Sequence, residues 1–210
     1  MKHAIHNFSA KLRQPSVAPT LQAYIDWRRA VRAARERGMD EPAMPEIAPV
    51  SINLDLTTAC NYRCTHCIDW DILNTKHKLA EEDLRASITL MHERGLKSVI
   101  LIGGGEPTLY PDFVGFTKFL KELGLKVSIV TNGSGGDRLA EVVGDFDDKD
   151  WIRLSLDSGS NELFREMHKP TSGAITLDAI CEWVPKLKAI NAAPQIGFSY
   201  IIVWSGASRE

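Results

Sequence analysis

Long hydrophobic runs are missing from this 210-residue sequence: nowhere do about 18 apolar residues follow one another, so no helical membrane span is expected. Met1 to Asn7 holds no apolar stretch of signal-peptide length, and the expectation is a cytoplasmic chain. An excess of either charge is missing too. The 25 Lys+Arg stand against 27 Asp+Glu, a formal net charge of -2, which argues against a chain built to seek nucleic acid. Cysteine is scarce, with four residues, too few for a disulfide-stapled scaffold. Three of the four cluster as Cys60, Cys64 and Cys67, while Cys181 stands alone. In a reducing compartment such a cluster points to metal ligation or redox chemistry. What remains is ordinary globular composition, 44% hydrophobic and 25% charged, enough for one domain with an appendage.

Residues 1–19 carry no clear period and include Pro15 and Pro19, which suggests an irregular lead-in. From Thr20 to Gly38, Leu21, Tyr24, Ile25, Val31 and Ala34 alternate with Arg28, Arg29, Arg32, Arg35 and Arg37. This is an amphipathic helix with a basic outer face, Thr20 as its N-cap and Gly38 as its stop. The basic face is read first as a solvated surface; a grip on RNA or on an acidic partner is the alternative. A proline-punctuated connector follows over 41–49, so residues 1–49 form an N-terminal extension and 50–210 the main domain.

The texture then changes. Short β-branched runs at Val50–Leu56, Ser98–Ile102, Lys126–Thr131, Trp151–Leu156 and Ile196–Val203 alternate with helical patterns at Leu79–Arg94, Asp112–Leu123, Asp137–Val143 and Leu177–Ile190. Strand, helix, parallel strand is the right-handed βαβ unit, so the class is α/β with a parallel sheet. Open doubly wound sheets and barrels share this pattern, and both place functional residues beyond the C-terminal ends of strands. Those positions are distinctive here: a cysteine loop, Gly103-Gly104-Gly105-Glu106-Pro107, Asn132-Gly133, and Asp157-Ser158-Gly159-Ser160.

Cys60, Cys64 and Cys67 have the spacing C-x3-C-x2-C directly after an apolar strand, and three thiolates so close converge on one centre if the backbone loops around it. Zinc bound by the three thiolates with His66 is the alternative; His66 beside Cys67 would strain a shared tetrahedral site. The cysteine loop and the Gly-Gly-Glu segment together resemble the radical S-adenosylmethionine (radical SAM) superfamily, over about Val50 to Val203. The resemblance implies a partial (β/α) barrel and a [4Fe-4S] cluster held by Cys60, Cys64 and Cys67. The open fourth iron would chelate S-adenosylmethionine and cleave it reductively to a 5'-deoxyadenosyl radical that abstracts hydrogen from a substrate. It further implies cofactor contacts from His66, Gly104, Gly105, Glu106, Asn132, Ser155 and Asp157, and an external electron donor of flavodoxin or ferredoxin type.

Ser155 shares a face of its strand with Arg153 and Asp157, a face that should be packed unless it lines a site. The segment Glu162 to Lys169 reads as a polar strand-to-helix connection whose Arg165, His168 and Lys169 are candidates for holding a carboxylate or a substrate; His92 and Cys181 read as structural. No nucleophile elbow, phosphate loop or paired-carboxylate site rivals these features. Two departures from the family pattern stand out. Five strands are present instead of six, and no cysteine follows Cys181 to mark an auxiliary cluster. The expectation is therefore a chain incomplete at its C-terminus, whose last strand is open to a partner or a second copy. A catalytically idle cluster-binding fragment is the alternative to an active enzyme, and the substrate is open.

Overall fold

The computed structural model describes residues 13–75 and 79–201; of the last expected strand, Ile202 and Val203 lie outside these. Helices α1 (Ala18–Glu36) and α2 (Glu81–Glu93) precede and follow strand β1 (Ser51–Leu54). Then come β2 (Ser98–Leu101), α3 (Phe113–Glu122), β3 (Lys126–Thr131), α4 (Gly136–Val142), β4 (Trp151–Ser155), α5 (Asn161–His168), α6 (Leu177–Cys181), α7 (Trp183–Ile190) and β5 (Gln195–Ser199). The strands form one sheet in the order β1-β2-β3-β4-β5. Pairing advances in step, Ser128 beside Trp151 and Thr131 beside Leu154, then Trp151 beside Gln195 and Ser155 beside Ser199, as parallel strands require. Strand order never reverses, so there is no switch point of the doubly wound kind, and the winding is that of a barrel wall.

The two faces of the sheet differ. Val99, Leu101, Val127, Ile129, Ile152 and Leu154 are buried, together with Phe113, Phe116 and Leu120 of α3 and Leu139 and Val142 of α4. Alternate residues of β4, namely Trp151, Arg153 and Ser155, are only half-buried. A parallel sheet normally hides both faces, so the half-buried face of β4 is set apart from the one that packs on the helices.

The described residues fall into two compact units. One comprises residues up to Ile52 together with Ala80–Ser98. In it α1 begins at Ala18 with Val17 as its N-cap, so Thr20 lies within the helix and does not cap it; Pro19 sits in the first turn, where a missing N–H costs nothing. The stop at Gly38 is present, with φ +65° and the Gly38 amide donating to Arg35 O. Three arginines of the basic face are paired: Arg29 with Asp26, Arg32 with Glu36, and Arg35 through both ends of its fork with Glu41. Local neutralisation of this kind suits a solvated face.

The other unit holds Asn53–Leu79 and the chain from Val99 onward. Two expectations are corrected in it. The segment 162–169 is a helix, α5, not a connection. Ser160 caps it by accepting from the Leu163 amide, and Lys169 ends it in the left-handed region at φ +45°. Its signal is short and its polar residues outnumber the buried Phe164, Met167 and His168, which hid the period. The expected helix 177–190 is two helices that break at Glu182. Pro185 cannot donate to the carbonyl of Cys181 and its ring would clash with it.

Candidate functional site

The cysteine loop leaves β1 and is fixed on two sides. On one side, Gly105 N donates to Thr57 O (2.7 Å) and Glu106 N donates to Ala59 O (2.8 Å), lacing the glycine segment onto the loop. A Cβ on Gly105 would lie 2.1 Å from Ala59 O, so only glycine fits. The close approach that this glycine permits is to the protein's own backbone. On the other side, the amides of Arg63 and Thr65 donate to His168 O (3.0 Å) and Met167 O (2.8 Å), carbonyls at the C-terminus of α5 that the helix itself leaves free. Thr171 N adds a bond to Asn61 O (2.9 Å), and Asn74 Oδ1 accepts from Cys60 N (3.2 Å).

Cys60, Cys64 and Cys67 are half-buried and free of disulfides. Burial first, and then the charges of Cys60 and Cys67, push the Cys64 thiol up to about 12. Cys60 is raised by burial as well, with Cys67 and Glu106 adding to it. Three sulfurs that feel one another, in a loop that disfavours bare thiolates, form a donor set matched to a cationic metal centre. The Tyr62 amide faces the Cys60 sulfur at 3.4 Å, a contact that suits a sulfur carrying negative charge.

Glu106 is 2% exposed, and its carboxylate accepts four hydrogen bonds. The donors are Thr108 N (3.1 Å), Thr108 Oγ1 (2.7 Å), Thr131 Oγ1 (2.6 Å) and Asn132 N (2.6 Å). The side chain thereby ties the end of β2 to the end of β3. Burial pushes the Glu106 pKa up against the lowering effect of these donors. Asn132 in turn donates from Nδ2 to Asn61 Oδ1 (2.9 Å), and its carbonyl accepts from the buried Tyr62 hydroxyl (3.3 Å). The third strand end is thus connected to the cysteine loop.

Ser155 ends β4, in register with Ser199. Asp157 follows at φ +48°, past the strand, and is also 2% exposed. Its Oδ1 accepts from Ile201 N (2.8 Å) and its Oδ2 from His66 Nε2 (3.2 Å). His168 is the residue whose role the linear reading undervalued. It is buried, its Nε2 donates to Leu156 O (2.8 Å), and its Nδ1 faces Cys64 Sγ (3.2 Å). Burial lowers its pKa below the usual imidazole value. With Nε2 carrying the proton for a carbonyl, Nδ1 is the acceptor in the neutral ring.

His66, Asp157 and His168 have ligand-type atoms within 4.8 Å of one another, a second potential metal set. Because His168 Nε2 is a donor to Leu156 O, the trio fits a hydrogen-bonded network better than a coordination sphere. His66 is likewise turned to Asp157, which weakens the zinc alternative. Of the other candidates, Lys169 caps α5, while Cys181 is exposed and contributes nothing to the core, a correction to its structural reading.

The radical SAM superfamily model matches residues 54–206. Among curated relatives, the S-adenosylmethionine-dependent nucleotide dehydratase of Thermoplasmatales archaeon (strain ISO4-H5) is 40% identical over 110 residues, 51% of this chain and 38% of the relative. The probable GTP 3',8-cyclase of Thermococcus kodakarensis is 30% identical over 135 residues, 64% of this chain and 42% of the relative. The chain thus spans less than half the length of either. Among solved structures, Streptococcus suis SuiB bound to precursor peptide SuiA superposes with a TM-score of 0.60 at 18% identity, over 84% of this chain and 37% of SuiB. SuiB bound to S-adenosylmethionine gives 0.57 at 20% identity, over 84% of this chain and 38% of SuiB. At these identities the likeness is one of fold.

Proposed function

This chain belongs to the radical SAM superfamily, and from that premise we propose that Cys60, Cys64 and Cys67 hold a [4Fe-4S] cluster that acts on S-adenosylmethionine. When bound, the cluster supplies the electron that breaks the sulfonium bond and yields a hydrogen-abstracting 5'-deoxyadenosyl radical. The observation that supports this reading best is three half-buried thiols, free of disulfides, on one loop pinned at the C-terminal ends of parallel strands.

The chain's own residues bind and orient. The backbone of Gly104, Gly105 and Glu106 lies against the loop, and because the Gly105 and Glu106 amides are donated to Thr57 O and Ala59 O, it is carbonyls of this segment that meet the amino acid portion of S-adenosylmethionine. The Glu106 carboxylate keeps this segment in register with Asn132. Asn132 and Ser155 present polar groups for the nucleoside. Asp157 fixes the His66 ring through Nε2 and at the same time anchors the chain beyond β5 through the Ile201 amide. An external donor of flavodoxin or ferredoxin type delivers the electron, in a cytoplasmic setting that keeps the thiols reduced. Curated relatives act on nucleotides, as named above, and the solved SuiB carries a peptide, so the substrate is not chosen by the fold.

The test is anaerobic. After reconstitution with iron and sulfide and reduction, addition of S-adenosylmethionine should yield 5'-deoxyadenosine by chromatography. Each of Cys60→Ala, Cys64→Ala and Cys67→Ala should drop it to background and remove the cluster absorbance. A full cluster spectrum in Cys64→Ala would overturn the ligand assignment, and a cluster without product would leave the binding role alone.

A further inference from the structure

The last turn of α5 grips three consecutive residues of the cysteine loop. Arg63 N donates to His168 O (3.0 Å) and Thr65 N donates to Met167 O (2.8 Å), so both backbone neighbours of Cys64 are tied to it. The third tie is to the sulfur: His168 Nδ1 faces Cys64 Sγ at 3.2 Å. Because Nε2 carries the ring proton for Leu156 O, the Cys64 thiol is the donor of this bond and Nδ1 its acceptor.

The imidazole has no freedom to turn away from that sulfur. It is 1% exposed, and Nε2 is held 2.8 Å from Leu156 O, just past β4. Its ring lies against those of Phe164 (centroids 4.8 Å apart), His66 (5.4 Å) and Tyr62 (5.9 Å). Among the described residues, His66 Nδ1 and His92 Nδ1 are buried without a partner, whereas both nitrogens of His168 are engaged. A helix that had only to cover the loop would carry an aliphatic side chain here, with no polar atoms to satisfy. The Cys60 sulfur, by contrast, meets the Tyr62 amide from within the loop itself.

We propose that His168 is a positioning residue for the cluster: its ring, braced on Leu156 O, holds the ligating sulfur of Cys64 through a hydrogen bond and thereby sets the cluster's reduction potential. The inference rests on the reading that Cys64 is a cluster ligand. Groups beyond the ligands orient them, and hydrogen bonds to the sulfurs are one of the levers by which a protein sets such a potential. The position of the group is what the linear pattern does not show, since it comes from a helix two strands and more than a hundred residues further on.

Asparagine and glutamine separate the two nitrogens of the ring. Asparagine at this position carries its amide, donor and acceptor both, near the place of Nδ1 and toward Cys64; glutamine reaches the place of Nε2, toward Leu156 O. The experiment is an anaerobic redox titration of the cluster-loaded full chain, followed by electron paramagnetic resonance, on the wild type, His168→Asn and His168→Gln, beside urea unfolding of the apo chains. At the wild-type midpoint potential, His168→Gln should change the ratio of reduced to oxidised cluster at least tenfold, a shift of about 59 mV for one electron. His168→Asn should change that ratio less than threefold, although it loses the bond to Leu156 O and should unfold at lower urea than His168→Gln.

A ratio within threefold of wild type in His168→Gln, or an equal shift in both variants, would overturn the proposal, because a histidine that only packs costs stability without telling one nitrogen from the other. Should either variant fail to load, the chain carrying His66→Phe and nitrogen-15 in its histidine rings decides. Nitrogen hyperfine coupling to the reduced cluster then supports the bond, and its absence overturns it. The two readings fail separately. A cluster that persists in Cys64→Ala sinks the ligand assignment and this inference with it; a cluster lost in Cys64→Ala yet indifferent to His168→Gln sinks this inference alone.

Discussion

Glu106 and Asp157 are both carboxylates beyond the end of a strand, both 2% exposed, and they do different work. Glu106 accepts from four donors that all belong to its own strand ends or the turn after them, Thr108, Thr131 and Asn132. Asp157 accepts from one backbone amide, Ile201, and shares its other oxygen with His66, a residue of the cysteine loop. Burial alone therefore does not identify a functional acid. Where the donors come from separates the two: Glu106 is a saturated carboxylate that fastens two strand ends, and Asp157 reaches the loop that carries the three cysteines.

Removal of the fastener should have the largest effect on stability. Glu106→Ala would orphan two backbone amides and two hydroxyls, and a loss of about 3–5 kcal/mol is expected, read by urea unfolding of the apo chain. A loss under about 1 kcal/mol would mean that water replaces the carboxylate and the contrast with Asp157 fails. Gly105→Ala comes next. A Cβ 2.1 Å from Ala59 O must displace the cysteine loop, at about 1–3 kcal/mol, and iron content after reconstitution should fall with it.

Asp157→Asn should cost less, about 1 kcal/mol, because the amide oxygen can still accept from Ile201. The contrast is sharpened if this variant keeps its unfolding midpoint near wild type yet makes at least tenfold less 5'-deoxyadenosine. The smallest effect is expected at Asp147, a carboxylate with 41% of its side chain exposed. Burial acts to raise its pKa, but the Lys126 ammonium, the Lys149 amide and Lys121 outweigh that and hold it at about 2. A folded-state pKa below the unfolded value near 3.9 adds stability above that value, which is lost as pH falls from about 4 to about 2. Asp147→Asn should flatten this acid limb by well under about 1 kcal/mol, since solvent screens the pair, and acid titration of the unfolding midpoint would read it.

Legibility from the sequence followed distance along the chain. The five strands and the helices between the first four of them declare themselves because apolar spacing and glycine stops act over a few residues, and the cysteine spacing is local as well. Helix α5 was not legible: eight residues with three inward-facing side chains, Phe164, Met167 and His168, give too short a period to distinguish from a polar loop. The role of His168 was hidden for a second reason, since Cys64 lies 104 residues before it. The glycines were legible as close-approach positions, yet the group approached by Gly105 is Ala59 O, supplied by a segment more than forty residues earlier.

The sequence by itself determined the order of the strands, the class of the sheet and the presence of three thiols on one loop, because each follows from side-chain chemistry repeated over a few residues. The tertiary structure alone decided which carboxylate is saturated and which reaches the loop. It decided that α5 clamps that loop through its terminal carbonyls. These are outcomes of chain segments brought together across the sheet, and hydrogen bonds between groups 91 or 104 residues apart have no periodicity by which a linear pattern could reveal them.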